Sequence, residues 1–248
     1  MHQEMKRAYI TYLSRCVNER RRKALEEVLV GRTRYLRLVL DGIENVGDAS
    51  AVIRSCECFG VQDLLMIQNR SIRPYHGVSL GATKWIDIHT IKDTETFYRE
   101  LKQQGVHVAV YTKDPSAIPI AALPLDRPIA LVLGSPHGPS AATRAAAESW
   151  VRLPTVGFTD DFNLSVNAAL CLASLAGRLR QTQIPWQLSA DEQLDVAVRW
   201  WIKMARRVVE YTRHFIEEQG LSQAEFDAML PAEVSKSIWR KRSAQPKE

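Results

Sequence analysis

Three segments place polar residues where a predicted strand gives way to a loop and then a helix: residues 48–61, 131–140 and 153–169. Arg54 lies in the first segment. An arginine keeps its proton up to a pKa above ~12, so it can hold a phosphate but is a poor base. Asn163 in the third segment can cap the helix that follows it. Ser165 lies two residues on, at the positive end of that helix, where an anionic oxygen is stabilised. These residues indicate a site that binds and orients phosphate or carboxylate groups.

The elements that must position these residues alternate between strands and helices. The predicted strands are 36–40, 64–67, 86–89, 106–111, 128–134 and 151–153. The predicted helices are 48–59, with Asp48 as its N-cap, 94–104, 140–150 and 163–180. The strand at 128–134 has almost no polar alternation, which is typical of burial on both faces of a parallel sheet. The alternation predicts an α/β fold with an open, mostly parallel sheet.

Helical extensions are predicted on both sides of this α/β domain, which spans residues 36–182. Residues 1–35 form a basic N-terminal extension, and residues 183–248 form a basic C-terminal one. Between 194 and 215 an apolar stripe and a basic stripe predict one amphipathic helix. For Trp201 and Phe215 we favour packing against the α/β domain or a second copy of the chain over stacking on a base.

Positive charge is concentrated in these extensions. The chain has 33 Lys and Arg against 28 Asp and Glu, a formal net charge of +5. The N-terminal basic run continues to Arg32, Arg34 and Arg37, and the tail adds Lys236, Arg240, Lys241, Arg242 and Lys247. Basic ends around a nearly neutral middle are typical of arms that grip an RNA backbone. The candidate RNA-binding residues are Arg20, Arg21, Arg22, Lys23, Arg199, Lys203 and Arg206. Solvated helix faces are the alternative for each arm.

Missing signals argue against several other classes of protein. Neither G-x-G-x-x-G nor G-x-x-x-x-G-K-[ST] occurs, so a dinucleotide or P-loop enzyme has no motif behind it. Cys16, Cys56, Cys58 and Cys171 lack metal-ligand spacing, so we expect no metal site and four reduced, buried thiols. The N-terminus is polar and the longest apolar run is short, so we expect a cytoplasmic protein.

Taken together and in this order, the three segments resemble the three motifs of the SpoU/TrmH family of SPOUT-class RNA 2′-O-ribose methyltransferases. The resemblance covers about residues 36–180. It implies a SPOUT-type open, mostly parallel sheet whose C-terminal part forms a deep trefoil knot, a feature too rare for composition to suggest. It also implies a homodimer, S-adenosyl-L-methionine as cofactor, and methyl transfer to a ribose 2′-hydroxyl of RNA.

The resemblance further implies roles for individual residues. Arg54, Asn163 and Ser165 match the family's catalytic positions. The cofactor-binding residues implied here are Thr112, Leu133, Gly134, Ser135, Leu153, Val156, Phe158, Leu164 and Ser165. Backbone groups of such loops can hydrogen-bond the adenosine, and apolar side chains can enclose its ring.

Two positions depart from the family pattern. Asp48 stands where the first motif has asparagine, which adds negative charge beside a site for RNA phosphate. Pro136 stands where the second motif has glutamate, and the neighbouring His137 is most simply an exposed loop histidine. Two hypotheses follow: an active methyltransferase with a modified catalytic ring, or a knotted RNA-binding protein with weak or no catalysis. We favour the first, because the three catalytic positions are kept.

The placement of the extensions favours tRNA as the substrate. Short basic helices at both ends resemble those of the tRNA guanosine members of the family. The ~35 residues before the first strand are too few for the separate RNA-binding domain typical of ribosomal RNA members. Ribosomal RNA is the runner-up.

Overall fold

A computed structural model describes residues 2–43, 45–68, 76–135 and 137–240. Pro136 and the basic tail residues Lys241, Arg242 and Lys247 lie outside these ranges. Contacts divide the chain into two compact units. One unit consists of the described residues of Met1–Gly31 and Leu188–Glu248, and the other is Arg32–Gln187. Most of each predicted extension therefore belongs to the same unit, whereas residues 32–35 and 183–187 belong to the other unit.

The unit Arg32–Gln187 is built on one sheet. Its strands are β1 (Leu36–Asp41), β2 (Asp63–Ile67), β3 (Asp87–Ile91), β4 (His107–Tyr111), β5 (Ile118–Pro119), β6 (Ile129–Gly134) and β7 (Ser149–Arg152). Their order is β3-β2-β1-β6-β4-β7-β5, and each neighbouring pair is parallel. The predicted open, parallel α/β sheet is confirmed.

Helices cover both faces of this sheet. They are α3 (Val46–Cys58), α4 (His76–Ser79), α5 (Thr94–Gln103), α6 (Ala141–Ala146) and α7 (Leu164–Leu179). Successive strand side chains point to opposite faces, so Leu131 and Leu133 pack in the core of α3 and α7, whereas Ala130 and Val132 pack in the core of α5. The predicted burial of this strand on both faces is confirmed.

Helix α6 is shorter than predicted. The sequence predicts a helix over 140–150, but α6 ends at Ala146 and the chain is extended at Ala147. The backbone of Glu148 then bonds to Val108, and β7 pairs with the end of β4. Pairing with the sheet edge therefore outweighs the local helical preference of this segment.

The other unit is helical. It contains α1 (His2–Ser14), α2 (Glu19–Val30), α8 (Ala190–Met204), α9 (Val208–Glu218), α10 (Gln223–Ala228) and α11 (Ala232–Arg240). The prediction of one helix over 194–215 is wrong, because the chain is extended at Ala205 and α9 begins at Val208. The predicted apolar stripe is nevertheless buried on both sides of the break.

Packing within the helical unit explains its aromatic residues. Trp201 and Phe215 are buried, and the Phe215 ring lies 5.0 Å from that of Tyr9 and 6.2 Å from that of Phe226. The expectation that these two residues pack rather than stack on bases is confirmed, but Phe215 packs on the N-terminal helix α1. Tyr9 also bonds through its hydroxyl to Thr212 at 2.5 Å, which ties α1 to α9.

Two further expectations concern the thiols and the membrane. All four cysteines are free, but Cys16 and Cys58 are exposed, so the expectation of four buried thiols is wrong for these two. Each lies on the outward face of its segment, where a polar environment tolerates a thiol.

Over the ranges that the structure describes, no helix has the length and apolar character needed to cross a bilayer.

Candidate functional site

The predicted cofactor residues follow strands that end at one edge of the sheet. Strand β6 lies between β1 and β4, with Gly134 opposite Asp41, and Tyr111 of β4 lies opposite Val151 of β7. The loops after β4, β6 and β7 therefore leave from the same, carboxyl-terminal edge. In open parallel sheets, ligands bind at this edge.

The loop after β6 is a tight turn fastened to β1. The Gly138 N–H donates to the Ser135 carbonyl at 2.8 Å, and the Ser140 N–H donates to the buried Asp41 carboxylate at 2.6 Å. A Cβ at Gly134 would lie 2.9 Å from the Pro139 nitrogen, so only glycine fits there. Asp41 was not predicted as a site residue, although a carboxylate at the end of an apolar strand is a signal in the sequence.

Helix α3 presents Arg54 to solvent. The predicted N-cap Asp48 is wrong: Asn45 is the cap, and its side chain accepts from the N–H groups of Gly47 at 2.8 Å and Asp48 at 3.2 Å. Asp48 instead lies in the first turn, where a negative charge is favourable. Arg54 is exposed and forms no hydrogen bond or ion pair with any described residue, so its guanidinium is available to a phosphate.

The first and third motifs meet through side chains. Asn163 caps α7 as predicted, accepting from the Ser165 N–H at 2.9 Å and from the Ser165 hydroxyl at 2.6 Å. The amide of Asn163 also donates to the Asp48 carboxylate at 3.2 Å. The start of α3 and the start of α7 therefore lie side by side.

The loop after β7 offers apolar surface to a ligand. Leu153 and Leu164 pack against the core, whereas the side chains of Val156 and Phe158 are fully exposed. Thr112, which begins the loop after β4, donates its N–H to the Val151 carbonyl at 2.8 Å. Backbone groups beside uncharged and apolar side chains suit an adenosine, whose ring needs contact area and hydrogen-bond partners. The residues present fit a nucleoside cofactor.

Comparison with known proteins gives the family. Residues 35–173, more than half of the chain, match the SpoU rRNA Methylase family. The chain belongs to this family. The resemblance predicted from the three motifs is thereby confirmed.

Individual relatives agree with this membership. The SpoU chain is 29% identical over 199 residues to the tRNA (guanosine(18)-2'-O)-methyltransferase of Borreliella burgdorferi, which covers 79% of this chain and 91% of that protein. Its fold is similar to that of the A. aeolicus TrmH/SpoU tRNA modifying enzyme, with a TM-score of 0.68, 24% identity, and coverage of 75% and 96% of the two chains. The SpoU methyltransferase AviRb of Streptomyces viridochromogenes, solved with AdoMet, has a TM-score of 0.53 and 16% identity, with coverage of 61% and 63%.

The predicted RNA-binding residues of this SpoU protein lie on α2, on α8 and just after α8. Arg20, Arg21, Arg22 and Lys23 are exposed at the start of α2, although Lys23 pairs with Glu19 at 2.9 Å. Positive charge in the first turn opposes the helix dipole, so Arg20, Arg21 and Arg22 do not stabilise the start of α2 by their charge. Arg199 and Lys203 lie on α8, and Arg206 is exposed in the break before α9.

Arg32, Arg34 and Arg37 were predicted as part of the N-terminal basic run, but they belong to the α/β unit. Arg34 pairs with Asp63 at 3.0 Å and with Asp87 at 2.8 Å, and Arg37 lies 3.8 Å from Asp63. Their charges are matched by strand carboxylates, because strands β1, β2 and β3 lie side by side. Including these two residues in a phosphate-gripping arm is therefore wrong.

Arg32 is fully buried, which sequence reasoning missed. Its guanidinium donates to the Gln62 side chain at 2.9 Å and to the carbonyls of Glu57 at 3.0 Å and Val61 at 2.9 Å. Burial lowers the pKa of Arg32 to about 10, so the residue stays charged at neutral pH. It joins the carboxyl end of α3 to the start of β2, and it is not available to RNA.

Proposed function

We propose that this SpoU protein is an S-adenosylmethionine-dependent RNA 2′-O-ribose methyltransferase that acts on tRNA. The observation that carries the proposal is the hydrogen bond between Asn163 and Asp48, which joins the helix of Arg54 to the loop after β7. The methyl acceptor and the methyl donor must lie side by side for transfer, and a junction of this kind holds their two binding regions in a fixed geometry.

The chemistry divides between the cofactor and the chain. The cofactor supplies an electrophilic methyl group on a sulfonium sulfur. Arg54 binds the phosphate next to the target ribose and so orients the 2′-hydroxyl, and Asn163 and Ser165 present polar groups at the positive end of α7. Arg54 does not take the proton itself, because its guanidinium remains charged. The neighbouring phosphate, or desolvation of the hydroxyl when RNA binds, helps the proton to leave.

The residues that would hold the cofactor lie along the carboxyl-terminal edge of the sheet. Thr112 and the loop of Leu133, Gly134 and Ser135 form one side, and the loop from Leu153 through Val156 and Phe158 to Leu164 and Ser165 forms the other. The exposed side chains of Val156 and Phe158 support this assignment, since they leave apolar surface uncovered.

The RNA is held by the helical unit. Arg20, Arg21, Arg22 and Lys23 on α2, together with Arg199, Lys203 and Arg206, contact phosphates. Helices α2 and α8 pack together in the same unit, which supports one continuous basic surface. The functional division is a SPOUT domain at 36–182, with basic extensions at 1–35 and 183–248. A relative named for tRNA modification and matched over 91% of its length favours tRNA.

The active form is a cytoplasmic homodimer. Val166 and Leu170 are exposed four residues apart, so they lie on one face of α7, and Phe162 is exposed in the loop just before this helix. An apolar stripe beside a polar site is typical of an interface, and a second copy of the chain would cover it. Sedimentation velocity should give a dimer, and Leu170→Glu should give monomers that lose methyl transfer.

The deep trefoil knot belongs to the same proposal. Strand β6 is inserted between β1 and β4, and α7, which follows β7, packs against α3. The chain thus returns to the middle of the sheet after β7, beside the loops proposed to hold the cofactor. This strand order supports a knotted C-terminal part.

A second candidate is an RNA-binding protein without catalysis. The described part of the loop after β6 carries no carboxylate. A backbone hydrogen bond between Ser135 and Gly138 closes its turn. Such a protein would bind RNA and cofactor but transfer no methyl group.

The experiment separates these two candidates. We expect calorimetry to detect S-adenosylmethionine binding, and a tritium assay to detect transfer to cellular tRNA. Arg54→Ala should abolish transfer and leave cofactor affinity within about twofold, because Arg54 acts on the RNA. Arg99→Ala on α5 is the matched control, an exposed arginine on the other face of the sheet.

Each possible failure has a distinct meaning. Transfer that survives Arg54→Ala would remove the assigned role of that residue. Tight cofactor binding without transfer to any tRNA or ribosomal RNA would favour the second candidate, and no cofactor binding would refute both.

A further inference from the structure

Three side chains meet at the point where the loop after β7 returns to the sheet. Tyr111 ends β4, Asp161 lies in the loop, and Asn167 lies in the first turn of α7. The Tyr111 hydroxyl is 2.7 Å from Asp161 Oδ1 and 2.9 Å from Asn167 Oδ1. The Asn167 amide donates to the same Asp161 oxygen at 2.8 Å and to the Phe162 carbonyl at 3.1 Å. Sequence reasoning assigned no role to any of the three.

This cluster is largely shielded from solvent, which strengthens its hydrogen bonds. Asn167 is only 2% exposed, and Tyr111 is partly buried against the core. Burial, followed by the nearby Asp161 carboxylate, raises the pKa of Tyr111, so the hydroxyl keeps its proton and donates it. Hydrogen bonds to a carboxylate are stronger than neutral ones, and low local polarity strengthens them further.

Among the described residues, a second contact joins this loop to the segment after β4. Lys113 pairs with Asp160 at 2.8 Å, but both side chains are largely exposed, and such pairs contribute little. Residues 153–163 themselves contain no helix or strand. The buried tyrosine contact is therefore the main polar attachment of this loop to the sheet edge.

We propose that Tyr111, Asp161 and Asn167 form a latch that fastens the loop after β7 to the end of β4 and so sets the affinity for the nucleoside cofactor. This inference rests on the proposed function, since the loop is one wall of the cofactor site. All three are positioning residues, because they act through the loop backbone. A loop held in its binding conformation loses less freedom when the ligand arrives, which increases affinity.

The test uses Tyr111→Phe in the full chain, which removes the hydroxyl and keeps the ring. We expect the Kd for S-adenosylmethionine to rise at least about tenfold, while kcat at saturating cofactor stays within about threefold. Hydrogen exchange of residues 153–163, measured without cofactor, should become faster in the variant.

Tyr98→Phe is the matched control. The Tyr98 hydroxyl is also buried and lies 2.7 Å from the Thr143 hydroxyl, but this contact joins α5 to α6, away from the loop. The control should lower thermal stability about as much as Tyr111→Phe, without changing cofactor affinity or exchange in the loop.

The outcomes separate the latch from the proposed function. If the wild-type chain binds the cofactor and Tyr111→Phe binds it equally well, the latch is refuted and the function stands. An equal loss of affinity in Tyr98→Phe would also refute it, because general destabilisation would explain both. If the wild-type chain binds no cofactor, the proposed function fails, and unchanged loop exchange in Tyr111→Phe would refute the latch independently.

Discussion

Replacement of Arg32 by methionine should destabilise the α/β unit far more than loss of a surface arginine. Methionine fills a similar volume but donates no hydrogen bonds. The change removes bonds to the Gln62 side chain and to the carbonyls of Glu57, Val61 and Trp85. These acceptors come from α3, from the start of β2 and from the residues before β3, so one side chain holds three elements together.

The size of the effect follows from burial. Each bond to a charged donor contributes about 1.5–3 kcal/mol, but such losses do not add, because methionine also removes the cost of burying a charge. Breaking a buried ionic network typically costs about 3–5 kcal/mol, and we expect a loss in that range. With a urea dependence of about 2 kcal/mol per molar, the unfolding midpoint should fall by about 2 M.

The assay must report on one unit, since a chain with two compact units need not unfold in one step. Hydrogen exchange of the β1 and β6 amides as a function of urea meets this need. Arg127→Met is the control: it breaks a pair with Glu148 in which both side chains are more than a third exposed, and it should cost at most about 1 kcal/mol. Equal shifts for Arg32→Met and Arg127→Met would refute the argument from burial.

Three more predictions follow from charge and protonation. Changing the three arginines at 20–22 to glutamine should reduce the slope of log RNA affinity against log salt by about 2–3, in a filter-binding titration; an unchanged slope would exclude α2 from the RNA surface. Asp48→Asn should tighten RNA binding by about two- to fivefold, because the carboxylate beside Asn163 repels phosphate, and weaker binding would instead mean that its charge orients Asn163. Burial lowers the pKa of His107 below its ordinary value of 6.5. As the pH falls below 6.5, His107 therefore binds a proton in the unfolded chain before it does so in the folded chain. The contribution of His107 to folding stability is complete above pH 6.5 and is lost as the pH falls. His107→Gln should flatten this acid loss in urea titrations between pH 8 and 5, and an identical loss in the variant would assign it to other groups.

Local patterns in the sequence were sufficient for much of the fold. The apolar run of β6, the alternation of strands with helices and the cap at Asn163 each depend on near neighbours in the chain, and each was predicted correctly. The three motifs were sufficient for the family for the same reason, since each is a short, continuous string of residues. The buried stripe between Leu194 and Phe215 was also correct, because burial follows side-chain spacing even where the helix breaks.

Tertiary contacts decided what near neighbours could not. The pairing of β7 with β4 ended α6 early, and Asn45, three residues before Asp48, took the N-cap of α3. Arg32 looks like another basic residue in the sequence, but acceptors 25 to 53 positions away enclose it. The Asn163–Asp48 bond spans 115 positions, and the Tyr111–Asp161 bond spans 50. Contacts of this length depend on how strands from distant parts of the chain are ordered in one sheet, and no local pattern contains that order.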